Sequence, residues 1–289
     1  MNTHYSVQEE IAPGLIRSWQ LNEVLFEATT PYQKMIIGRG AQGMSLFCNQ
    51  ERQSTELSQQ IYHEAQFYPA ALIAKSVERV LIIGSSEGVV TELARETGAT
   101  EVVHVDIDED CVRACAKYLP YGYSEDDVQA YLQGKEGVTL TFQDGFTYVR
   151  EALRQGKTFD VIVMDLPDEQ ACDESAQQNR LYDDAFLQDL SKILTPEGAF
   201  ITQAGCSTFW RNESLKKAWK RMGQVFKSCT YFEMEEHDWS WIIGANFECK
   251  NPIERMKTRL KELQIQPSFI DEISINKSTI LPISLRKPQ

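Results

Sequence analysis

The sequence has few of the features that would commit a chain to a membrane, a secretory route or nucleic acid. No apolar run approaches the roughly 18–20 residues that span a bilayer. The opening residues, MNTHYSVQEE, carry neither a basic stretch nor an apolar one, so no signal peptide is expected there. The seven cysteines (Cys48, Cys111, Cys115, Cys172, Cys206, Cys229, Cys249) are scattered, odd in number and without a C-x-x-C pair. Neither a disulfide framework nor a metal site is expected, and a reduced, cytoplasmic protein fits best. Positive charge is also scarce: 29 Lys and Arg against 42 Asp and Glu give a net charge of −13. Nucleic acid, which needs a basic face, is therefore not an expected partner. The acidity suits a cationic small substrate, although it also simply keeps a protein soluble.

What the chain does have is enough apolar material for a substantial core, 42% of its 289 residues. Residues 1–70 read as a small antiparallel β domain with the start of a connecting helix. Val24–Gly38 and Met44–Gln50 are short strand-like runs divided by Gly and Pro. Leu57, Ile61, Ala65 and Tyr68 follow at helical spacing, predicting an amphipathic helix over Glu56–Leu72. From Val77 the pattern becomes strand, turn, helix, strand. The expected strands are Val77–Gly84, Glu101–Asp108, Val138–Gly145, Phe159–Pro167 and Gly198–Gly205, with helices between them. Residues 71–289 are thus expected to form an α/β domain, a Rossmann-like, doubly wound and mostly parallel sheet of the class I methyltransferase type.

Ligands of such sheets sit at the carboxyl ends of the strands, near the point where strand order reverses. Polar groups mark those ends here: Gly84-Ser85-Ser86-Glu87-Gly88, Asp106, Asp144-Gly145, Asp165 to Asp168, and Gln203-Ala204-Gly205. This is the pattern of a nucleoside site. Small residues after the first strand let the backbone approach the ligand. Asp106, about 20 residues on, is placed to accept both ribose hydroxyls, and Asp144 to receive the amine of an adenine. The turn lacks the third glycine of G-x-G-x-x-G and the Gly-Lys-Ser/Thr of a phosphate loop, which disfavours phosphate-bearing cofactors. S-adenosylmethionine or a relative fits better. Glu87 would repel a methionine carboxylate but pair with an amine that has none beside it, as in decarboxylated S-adenosylmethionine.

The chain resembles the polyamine aminopropyltransferases, the spermidine, spermine and thermospermine synthases, from about Val24 to Pro282. The similarity runs through VLFEATTPYQ, QxxE…YHEA (Gln53, Glu56, Tyr62, His63, Glu64), GSSEG, VDID, QDG, DLPD, LY, QAG and DWSW. Several of these are most similar in wording to the thermospermine synthase branch. The resemblance implies no permanently bound cofactor and a co-substrate, decarboxylated S-adenosylmethionine, held by Gln33, Gln53, Gly84, Glu87, Asp106, Asp144 and Gly145. It implies aminopropyl transfer to a polyamine, putrescine or spermidine, with release of methylthioadenosine. Asp165 is the expected base, assisted by Tyr62; His63, Asp168, Trp239 and Trp241 are the expected acceptor contacts. A homodimer or homotetramer through the N-terminal sheet is implied as well. Three segments depart from the family: Ser85 and Ser86 replace loop glycines, Glu169-Gln170-Ala171-Cys172 replaces the usual turn after Asp168, and FIDEISINKSTILP replaces the usual terminal segment. The two serines and the altered loop after Asp168 leave open a methyl- or aminocarboxypropyl-transferase using intact S-adenosylmethionine; a non-catalytic polyamine- or nucleoside-binding relative is the third alternative, against which the retention of Asp165, Asp168, Tyr62 and Gln33 together argues.

Overall fold

The structure, a computed structural model, describes residues 5–167, 169 and 177–287. Its first sheet is an antiparallel meander of β1 (Tyr5–Ala12), β2 (Leu15–Thr29), β3 (Lys34–Gly40), β4 (Gly43–Cys48) and β5 (Glu51–Thr55), paired in that order. Asn49 and Gln50 link the last pair with φ of 49° and 72°, the left-handed geometry that suits a two-residue hairpin to twisted strands.

A seven-stranded sheet follows. Its strands are β6 (Arg79–Gly84), β7 (Glu101–Asp106), β8 (Val138–Phe142), β9 (Phe159–Asp165), β10 (Leu194–Gln203), β11 (Ser228–Met234) and β12 (Trp239–Ala245). They stand in the order β11-β12-β10-β9-β6-β7-β8, with β10 through β8 parallel and β12 and β11 antiparallel. The expected Rossmann-like sheet is therefore present. Around it lie α1 (Gln59–Ile73), α2 (Val89–Glu96), α3 (Glu109–Tyr118), α4 (Glu125–Tyr131), α5 (Gly145–Gln155), α6 (Asp184–Ile193), α7 (Glu213–Val225), α8 (Pro252–Glu262), α9 (Glu272–Ser278) and α10 (Ile283–Arg286). The alternation of a strand divides its side chains between two cores. On β6, Val80 and Ile82 pack with α1 and α2, while Leu81 and Ile83 pack with residues of α5 and α6.

The first sheet docks on α3 through an apolar contact of Met35, Ile37, Met44, Leu46 and Cys48 with Cys111, Ala114, Cys115 and Leu119. That contact brings the meander over the carboxyl ends of the parallel strands. Among the described residues the cysteines are free thiols, and no helix is long and apolar enough to cross a membrane.

Helix α1 differs from the sequence expectation. From Ile61 onward every residue but Tyr62 is buried, so the helix has no solvent face and is not amphipathic. It packs against β10, β9 and β12 as well as α2 and α8, so it belongs with the second sheet. The last strand of the first sheet ends at Thr55 and this helix begins at Gln59. Its buried polar side chains are accordingly tied. Gln66 donates to the carbonyl of Met164 at 2.9 Å. Glu64 accepts from the backbone N–H groups of Ser268 and Phe269, each at 2.8 Å, and from Gln60. One carboxylate thus holds the C-terminal segment against the core. Glu64→Ala would leave two backbone donors unpaired, at a cost of about 2–3 kcal/mol. Chemical denaturation should show that loss; a change under about 0.5 kcal/mol would mean that water replaces the carboxylate without penalty.

Candidate active site

Strand order reverses between β6 and β9, and at that point Gly84 is the register partner of Asp165. The first turn and the expected base are therefore neighbours because of topology. The N–H of Ser85 donates to the Asp165 carbonyl at 3.1 Å. Gly84 has φ of +82°, and a Cβ there would collide with the same carbonyl oxygen, so only glycine fits. Its own carbonyl accepts from His104 Nε2 at 2.7 Å. Burial pushes the His104 imidazole down to about 4, so it stays neutral and acts as a fixed donor.

Ser85 also lies in the left-handed region, at φ +66°. A side chain there costs about 1–2 kcal/mol. Its Oγ is buried beside the Asp165 carboxylate without forming a well-oriented hydrogen bond. Ser85→Gly relieves both problems against an unfolded-state penalty of about 0.5–1 kcal/mol. A net gain of about 1 kcal/mol in denaturant unfolding is expected. A net loss would show that the hydroxyl is bonded in solution.

Above this turn opens a cavity of about 510 Å³, walled by both sheets. Asp165 faces it from the end of β9. Tyr62 donates its hydroxyl to Asp165 Oδ1 at 2.7 Å. Burial raises the Asp165 carboxyl, and Glu87 adds to the rise; the nearby His63 and the Tyr62 hydroxyl offset part of it. Burial and the Asp165 charge together push the Tyr62 phenol well above its ordinary range, so it remains a donor.

The expected nucleoside side is more varied. Glu87 is buried on the cavity wall, where desolvation raises its carboxyl. Asp106 is 5% exposed. Its Oδ1 accepts from the N–H of Asp108 at 2.8 Å and its Oδ2 from the Ser86 hydroxyl at 2.8 Å. Ser86 thus occupies an oxygen that the expectation assigned to ribose. Gln33 lines the cavity but donates to Asp108 Oδ2 at 2.9 Å. Gln53 lines it too, with a long 3.4 Å bond to the Glu51 carbonyl. Asp144 caps α5 through Thr147 N and pairs with Arg180 Nη2 at 2.7 Å. Both its oxygens are engaged, so an adenine amine would have to share them. Gly145 packs on Ile83, where a Cβ would meet the Ile83 side chain at 2.6 Å.

The acceptor residues divide. Trp239, at the start of β12, reaches the cavity and donates to Gln203 Oε1 at 3.2 Å. Trp241, two residues along on the same face, is wholly buried and packs against Tyr62 with ring centroids 5.3 Å apart. It backs the site and does not line the cavity. His63 likewise lies off the cavity, because the step from Tyr62 along a helix turns it inward: Nδ1 meets the Gln59 carbonyl at 2.7 Å, and its ring edge touches Tyr62. Burial keeps it neutral. Asp168 lies outside the described residues. Sequence reasoning missed Arg52, Arg211 and His237, which also line the cavity. The signal for two of them was position: Arg52 precedes Gln53, and His237 directly precedes DWSW.

Comparison with known proteins shows what the chain is similar to. Residues 59–235 match the spermine/spermidine synthase domain. Polyamine aminopropyltransferase 1 of Hyperthermus butylicus is 32% identical over 261 residues, covering 87% of this chain and 85% of its own length. The polyamine aminopropyltransferase of a Synechococcus strain is 33% identical over 301 residues, covering 97% and 91%. Thermospermine synthase ACAULIS5 of Arabidopsis thaliana is 28% identical over 291 residues, covering 96% and 82%. Among solved structures, a spermidine synthase in complex with the transition-state analogue AdoDATO matches with a TM-score of 0.81, at 18% identity, over 97% of this chain and 93% of its own. At that identity the structural likeness speaks for the fold, while the sequence matches speak for descent. The chain belongs to the spermine/spermidine synthase family.

Proposed function

We propose that the protein transfers the aminopropyl group of decarboxylated S-adenosylmethionine to an amine, putrescine or spermidine in the first instance, and releases methylthioadenosine. The observation that carries this reading is Asp165: a half-buried carboxylate with a raised pKa, at the topological switch point, hydrogen-bonded by Tyr62 and open to the cavity. An ammonium has no lone pair, so the acceptor must lose a proton before it attacks. Asp165 takes that proton. The amine nitrogen then forms a bond to the propyl carbon beside the sulfonium, and the carbon–sulfur bond breaks with its electrons left on sulfur. Tyr62 fixes the carboxylate's orientation, which makes the attack effectively intramolecular. Glu87, with no cation paired to it among the described residues, receives the donor's ammonium; Asp106 receives its ribose. The serine loop stays compatible with the donor if Ser86 gives up Asp106 on binding. A homodimer or homotetramer through the first sheet, in a reducing cytoplasm, belongs to the same reading.

Incubation with decarboxylated or intact S-adenosylmethionine and a mixed amine pool, followed by mass spectrometry, tests it. Methylthioadenosine and an amine heavier by one aminopropyl unit are expected from the decarboxylated donor. Products from the intact donor alone would overturn the reading.

A further inference from the structure

In a chain with 42 acidic and 29 basic residues, one end of the cavity is walled by guanidinium groups. Arg52 on β5, Arg211 just before α7 and Arg17 on β2 all line it. Arg17 lies 3.9 Å from Glu9, and Glu9 is further engaged by Trp19 Nε1 and the N–H of Arg52. Arg52 and Arg211 form no ion pair among the described residues. Arg52 lies 5.2 Å over the Trp19 ring with one 3.3 Å bond to Gln42 Oε1, and Arg211 lies 5.4 Å over Trp239. Each group lies over an aromatic ring, which holds a guanidinium in place.

These two cations line the same cavity as the reacting centre. Tyr62, bonded to Asp165, packs on His237 with ring centroids 5.3 Å apart. Burial, then Arg52, push the His237 imidazole down to about 3, so it is neutral. Arg52 is itself lowered by burial, with Arg17 and Arg211 adding to the effect and Glu9 only partly offsetting it. Of the neighbouring acids, Glu10 and Asp238 are exposed, with Asp238 accepting from Thr208, and the half-buried Glu51 also lines the cavity. The desolvated Arg52 and the half-buried Arg211 line one cavity with the base and form no ion pair among the described residues, an arrangement that suits an anion. A polyamine carries none.

We propose that the site also takes acceptors that bear a carboxylate, amino acids with a free amine, the carboxylate held by Arg52 and Arg211 while the amine faces Asp165. This rests on the aminopropyl-transfer reading. The bond changes are unchanged: nitrogen to propyl carbon forms, carbon to sulfur breaks, and the ammonium proton goes to Asp165.

The test compares acceptors that differ only in the carboxylate, ornithine with putrescine and lysine with cadaverine, with the decarboxylated donor and methylthioadenosine release as readout. Ornithine or lysine should reach a kcat/KM within ten-fold of its diamine or better. Arg52→Gln and Arg211→Gln should each lower the ratio of amino acid to diamine by ten-fold or more, through KM. The ratio is internal to each variant, so a general loss of folding does not move it; Arg211→Lys should restore most of it. Diamine turnover without amino-acid turnover, or a ratio unmoved by both substitutions, overturns the proposal and leaves the transfer reading standing. No methylthioadenosine from any of the four acceptors overturns both. Turnover with intact S-adenosylmethionine would place the anion on the donor and overturn the proposal as well.

Discussion

Asp165→Asn is expected to lower kcat by about 10³-fold, within the range removed with a general base, while donor affinity stays within about three-fold of the parent. Asparagine keeps the shape and can still accept the Tyr62 hydroxyl, so the turn at Gly84 and Ser85 is undisturbed. What is lost is the ability to take a proton. The pH dependence supplies an independent check. Burial raises the Asp165 carboxyl, so the base becomes protonated, and turnover falls, at a higher pH than for an ordinary carboxylate. That acidic limb should vanish in the asparagine variant. It should move further upward in Tyr62→Phe, because the Tyr62 hydrogen bond is one of the influences holding the pKa down. Stopped-flow or steady-state profiles of methylthioadenosine release would show this. Turnover of Asp165→Asn equal to the parent's would remove Asp165 from the role of base.

How far such a site can be read from sequence depends on which interactions build it. The parallel strands were legible because VLIIG and FDVIVMD are buried on both faces and so appear as continuous apolar runs. Each ends in the residue that matters, Gly84 or Asp165, and right-handed βαβ connections then force those ends to one side of the sheet. The pairing of Gly84 with Asp165 follows from the order of strands, which no local pattern encodes. Strand β1 was not legible: YSVQEEIA has only Val7 fully buried, so it shows little of the alternation a strand is read by. The same limit applies to side-chain direction. Trp239 and Trp241 share a face of β12, and depth along the strand alone decides that one touches the cavity and the other the core. Asp144 was read as free for a ligand because its partner Arg180 lies 36 residues on. The guanidinium end of the cavity is assembled from three separated segments, β2, β5 and the approach to α7, and only Arg52, next to Gln53, had a positional signal.

Asp106→Asn should trade function for stability. Burial, with a contribution from the Cys111 thiol, pushes the Asp106 carboxyl up to about 7, against the opposing hydrogen bonds from Asp108 N–H and Ser86. The unfolded chain ionises this group near pH 4. Between about pH 4 and pH 7 the unfolded state therefore releases a proton that the folded state keeps, and folding stability declines as pH rises through that window. Above it the folded protein carries a desolvated charge at a cost of about 1–3 kcal/mol. Asparagine has no charge to desolvate. At pH 8 the variant should melt roughly 3–6 °C above the parent, and the difference should narrow as pH falls through this window and close only below about pH 4, where the carboxyl is neutral in both states. Donor binding should go the other way. Two ribose hydroxyls lose an ionised acceptor, each such bond being worth about 1.5–3 kcal/mol, so affinity should fall by about 100-fold or more. In the parent, donor affinity should itself weaken as pH drops below about 7 and Asp106 takes up its proton. Thermal melts at both pH values and donor titration by calorimetry measure the two effects separately. A variant that gains no stability at pH 8 would mean that Asp106 is solvated in the free protein. One that gains stability yet still binds donor would place the ribose elsewhere. The combination of higher melting temperature and lost affinity is expected only if the carboxylate is kept, at a cost to the fold, for the ligand.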